Sequence, residues 1–108
     1  MVNISMDEFA ELSKEDQKAL MKAESVRLRV LKQRVDDAET LDDVRDVAPL
    51  VHNHTSVTDT DLGRERELEQ VALVLQKGGY NEASEFVIEM IKQRLISSLV
   101  VEIEQCDS

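Results

Sequence analysis

An all-α fold, a small antiparallel bundle of four principal helices behind a short N-terminal helix, is predicted by three features of this sequence. Turn formers are scarce, with three Gly and one Pro in 108 residues, which favours a few long helices over many short strands. Apolar residues recur at helical spacing after Ser, Thr or Asn positions that are followed by acidic residues, the pattern of capped helix starts. The densest apolar run, residues 78–105, opens with two glycines and continues without a break. Two Phe, one Tyr and no Trp leave the core to Leu, Val, Ile and Ala. A chain of this length sustains one such core, so a single helical domain over residues 1–108 is expected.

Residues 1–12 form a lead-in. Ser5 followed by Glu8 predicts a turn or two of helix through Leu12, with Met6, Phe9 and Leu12 on its apolar side. Ser13 followed by Asp16 starts the first long helix, residues 14–35. Its apolar arc takes in Ala19, Leu20, Ala23, Val26, Leu28, Val30, Leu31 and Val35, opposite a stripe of Lys14, Lys18, Lys22, Arg29 and Lys32. Arg27 and Arg34 project within the apolar arc, to snorkel past its edge or to meet carboxylates across an interface.

Thr40 with Asp43 caps a third segment whose Leu41, Val44, Val47 and Ala48 have helical spacing. Pro49 removes a donor and disfavours helical geometry at Ala48, so this helix is expected to be short, or to kink there and end by Val51. Residues 52–61, polar and non-periodic, read as the longest loop. Thr58 or Thr60 caps the next helix, about 61–77, with Leu62, Leu68, Val71, Ala72 and Leu75 inward. Gly78 and Gly79 stop it. Asn81 then serves as N-cap of the last helix, with Glu82 and Glu85 near its positive end. Val87, Ile88, Ile91, Leu95, Leu99 and Val101 share one face, while Phe86, Ile96, Val100 and Ile103 fall on the other side. A helix apolar on two sides is covered on two sides, either within the bundle or by a partner.

The formal charge of −10 opposes direct nucleic-acid binding, which needs a basic surface, and adsorption to an anionic membrane. Seven basic residues lie between Lys14 and Arg34 against three acidic ones, and six acidic residues lie between Asp36 and Asp46. This asymmetry suggests charge matching within or between subunits. The single Cys106 forms no internal disulfide, and no segment has signal-peptide or membrane-spanning character, so a cytoplasmic protein is expected.

Catalytic signatures are absent from the sequence. His52 and His54 lie two apart, off one helix face, with Asp59 and Asp61 downstream, and match no zinc spacing. Glu82, Glu85 and Glu89 cluster at a helix start, where the dipole already explains Glu82 and Glu85. Cys106 sits among Glu102, Glu104 and Asp107, which raise rather than lower a thiol pKa. No cofactor, metal or enzymatic activity is expected.

Residues 79–87, Gly-Tyr-Asn-Glu-Ala-Ser-Glu-Phe-Val, resemble the turn and second-helix start of ribbon-helix-helix antitoxins over about a tenth of the chain. That family places a basic, dimer-forming strand before its first helix. The corresponding stretch here, residues 54–61, is acidic.

Two functions are therefore expected, in order. The first is a non-catalytic interaction module, an adaptor, assembly factor or regulator that binds a protein partner or itself, with a homodimer as the simplest assembly. Its candidate interface is Phe86, Ile96, Val100 and Ile103 with Arg27 and Arg34. The alternative is an acidic mimic of nucleic acid that occupies the site of a DNA- or RNA-binding protein.

Overall fold

The computed structural model describes residues 6–107 and contains five helices: α1 (Met6–Glu11), α2 (Lys14–Asp37), α3 (Leu41–His54), α4 (Asp59–Lys77) and α5 (Asn81–Asp107). No strand occurs among the described residues, so the basic ribbon of the antitoxin family has no counterpart there. The predicted cap at Ser5 lies outside the described residues.

Each helix start reflects local chemistry. Ser13 Oγ accepts from the Asp16 N–H at 3.1 Å, opening α2. Thr40 with Asp43 and Thr58 with Asp61 form reciprocal capping boxes at α3 and α4. Hydrogen bonds from the Glu39 and Thr40 amides and the Thr40 hydroxyl hold the Asp43 carboxyl below its usual range. Bonds from Thr58 do the same for Asp61. At the other end of α4, the Tyr80 N–H donates to the Leu75 carbonyl at 2.9 Å and the Gly79 N–H to that of Gln76 at 3.1 Å. This is a Schellman closure, and Gly79 supplies the left-handed φ of 85° that it requires.

α5 is the centre of the bundle. It packs against α2, α4 and α3, and α2 also packs on α3. Leu28, Leu31 and Val35 of α2, Leu41, Val44, Val47, Ala48 and Val51 of α3, and Ile88, Ile91, Leu95 and Leu99 of α5 form the buried core with Ala38. From α4 only Ala72 is fully buried. The α4–α5 hairpin is closed instead by the buried Ser84 hydroxyl, which donates to the Ala72 carbonyl at 3.0 Å. The molecule measures 57 × 25 × 19 Å, about two helix diameters in its thinnest direction. Its radius of gyration is 16.4 Å, above the roughly 13 Å of a globule near this length. An elongated, slender bundle of this kind leaves long helix faces uncovered.

Several boundaries and faces differ from expectation. α3 runs through Pro49 to His54, so the connection to α4 shrinks to residues 55–58. Proline cannot donate to the preceding turn. The turn beyond it is held by burial of Val51 and by side-chain partners of His52 and His54. Asn81 is the first residue of α5 rather than its cap, since the Ser84 N–H donates to the Tyr80 carbonyl. Val26 and Val30 leave the core face of α2, and the buried places beside Leu28 go to Glu24 and Ser25. Val71 of α4 and Val101 of α5 are likewise exposed, while Leu73 packs against the core.

Candidate functional site

The outer side of α5 points away from the buried core and borders α4 along one edge. Buried Ser84, Ile88, Ile91, Leu95 and Leu99 define the inner face. At about 100° per residue, Phe86, Met90 and Val101 fall on the outer stripe. Phe86 is 75% exposed and Met90 53%. Four residues apart, they stand on adjacent turns. With Leu68 of α4 and the stems of Arg64 and Arg94 they line an open, mainly apolar cleft of about 450 Å³. An exposed Phe beside an exposed Met presents apolar, polarizable area to solvent.

The other candidate interface residues lie elsewhere. Ile96 and Ile103 are half-buried and packed against the core. Val100 and Ile103 meet Arg29 and Lys32 of α2 in a separate shallow cleft. Arg27 and Arg34 are exposed on the outer side of α2, and Arg27 reaches Glu24 at 3.8 Å. The six residues therefore occupy three places: Phe86 faces α4, the aliphatic trio faces α2, and the arginines lie beyond α2. Met90 and Leu68 complete the Phe86 cleft. The spacing from Phe86 identifies Met90, but Leu68 enters only through the α4–α5 packing.

The two histidines diverge. Being two apart on α3, they point to different neighbours. His54 Nδ1 lies 2.7 Å from Glu24 Oε1 on α2, in a hydrogen-bonded pair. His52 Nε2 lies 2.9 Å from Glu65 Oε2 on α4. Desolvation raises the Glu65 carboxyl, with His52 pulling the other way. The pairs tie the end of α3 to both neighbouring helices.

His52 and Glu65 also line a cleft of about 420 Å³ with Asp61, Arg94, Ser97 and Ser98. The Ser98 hydroxyl donates to the Arg94 carbonyl, and no serine bonds to His52 among the described residues. No group of three metal-ligating side chains occurs among the described residues. At the far end of α5, burial and the carboxylates of Glu24, Glu102 and Asp107 push the Cys106 thiol up, against nucleophilic use. Asp107 is hydrogen-bonded to Ser25 and Arg29, which hold its carboxyl below the usual range. No helix among the described residues is long and apolar enough to cross a membrane.

No family model, curated protein or solved structure matches this chain.

Proposed function

We propose that the chain is a non-catalytic interaction module that binds a protein partner or a second copy of itself through helix surfaces, as an adaptor, assembly factor or regulator would. The observation that carries this reading is the outer face of α5, where Phe86 is 75% exposed beside Met90 above an apolar cleft. A slender bundle leaves this side of its longest helix exposed, and burying Phe86 against a second surface removes its apolar area from water. An isologous dimer is the simplest assembly, because one copy then supplies both halves of the contact.

Solution mass by light scattering, at low and high salt, tests it with Phe86→Asp alongside the parent chain. A salt-resistant dimer that Phe86→Asp converts to a folded monomer supports the apolar interface. A monomer at all concentrations removes self-association. A complex that dissociates only in high salt points instead to the acidic surface and the nucleic-acid mimic. Phe86 is the cleaner probe than Ile96, because aspartate at Ile96 also disturbs the core.

A further inference from the structure

The outer side of α2 differs from an ordinary solvated helix face. Ala19, Ala23, Val26 and Val30 follow at intervals of four, three and four residues, the spacing of a helix-packing seam. All four are exposed, Val26 at 54% and Val30 at 55%. Lys18 and Lys22 border this stripe on one side, Arg27 and Arg34 on the other. Lys18, Lys22 and Arg34 make no ion pair among the described residues, and Arg27 keeps 61% of its side chain exposed while reaching Glu24. The segment is net cationic in a chain of net charge −10. Meanwhile the helix turns Glu24 and Ser25 inward, so its valines were not placed outside for want of apolar positions in the core.

We propose that the outer face of α2 is a docking site for an acidic amphipathic helix of a partner protein. The partner's apolar side chains lie over Val26 and Val30, and its carboxylates meet Lys18 and Lys22 along one rim and Arg27 and Arg34 along the other. Charge complementarity selects this occupant. A second copy presenting the same stripe would set lysine and arginine rims against each other. Nucleic acid would cover the valines with phosphate and gain nothing from their burial, and it is repelled by the remainder of the molecule. The proposal rests on the chain being an interaction module, but it uses a surface separate from the Phe86 cleft.

The probe is a labelled synthetic helix about three heptads long, with leucine on its seam and glutamate on its flanks, titrated into the full chain. A peptide of the same composition in scrambled order is the control. The expected result is saturable binding of the patterned peptide only, weakened about tenfold or more near 1 M salt, where the screening length is about 3 Å. Val26→Asp with Val30→Asp abolishes it while helicity is unchanged, because both sites are exposed. Lys22→Glu with Arg34→Glu, which leaves the valines in place, weakens it at least about tenfold through lost charge pairs. Phe86→Asp leaves it intact, so loss of the dimer and loss of peptide binding are separate results. Equal binding of both peptides, no binding of either, or indifference to both double variants would overturn the proposal. So would a dimer that Val26→Asp with Val30→Asp splits, or vesicles of anionic lipid that bind through the same valines.

Discussion

α3 and α2 treat their apolar residues in opposite ways. In α3, Leu41, Val44, Val47, Ala48 and Val51 are all buried, and only Leu50 among its large apolar residues turns outward. In α2, Leu28, Leu31 and Val35 are buried, but Val26 and Val30 stand in solvent while Glu24 and Ser25 lie inside. α3 is a helix made to be covered by its own chain. α2 serves its own core with one face and retains a second apolar stripe that the fold does not use. Polar residues on the inner face of a helix are tolerated only where they find partners. Glu24 has His54 and Ser25 has Asp107 and Arg29, so the exchange is stable.

The strongest way to break the comparison is to charge the shared core. Leu95 is 2% exposed on the α5 face that serves both helices. Leu95→Asp should unfold the chain, read as loss of helical circular dichroism; a folded variant would show the inner face of α5 to be misplaced. Next is Leu28→Ala on the inner side of α2, which should cost about 2–5 kcal/mol in denaturant unfolding by emptying a filled site. His54→Ala follows. It removes a hydrogen bond from the buried Glu24 and should cost about 1–3 kcal/mol. A neutral result would mean that the α2–α3 joint does not depend on the pair.

Acid distinguishes the caps from the cleft. The folded-state pKa values of Asp43 and Asp61 are depressed, so their contribution is full above the unfolded value, near 3.9, and is lost as pH falls through the lower folded values. Glu65 runs the other way. Its carboxyl is raised by burial, so its contribution falls as pH rises from the unfolded value near 4.3 through the folded one. Denaturant midpoints against pH should therefore lose part of their acid drop in Asp43→Asn, and lose part of the opposing slope in Glu65→Gln. The smallest effect belongs to the outer stripe. Val30→Ala should change stability by no more than about 0.5 kcal/mol. A cost like that of Leu28→Ala would place Val30 in the core and remove the contrast between the two helices.

Much of the fold is legible in residue order because its signals are local. Thr40–Asp43, Thr58–Asp61 and Ser13–Asp16 satisfy donors within a few residues of themselves, whatever the rest of the chain does. The glycines at 78 and 79 are legible for the same reason, as is the hairpin that they close. Phe86 was readable as surplus apolar surface on α5, and its i+4 neighbour Met90 follows from the same spacing. The outward turn of Val26 and Val30 was not, because helical periodicity gives relative angles and leaves the rotation of the helix against its neighbours free.

By itself, then, the sequence determined an all-α chain of four principal helices with their caps and their closing turn, since propensity, capping and turn chemistry act over a few residues. Tertiary structure decided which side of α2 met the core, how far α3 continued past Pro49, and which carboxylates His52 and His54 would meet. These depend on burial and on partners about 13 to 30 residues distant, and such energies exist only once the helices have packed.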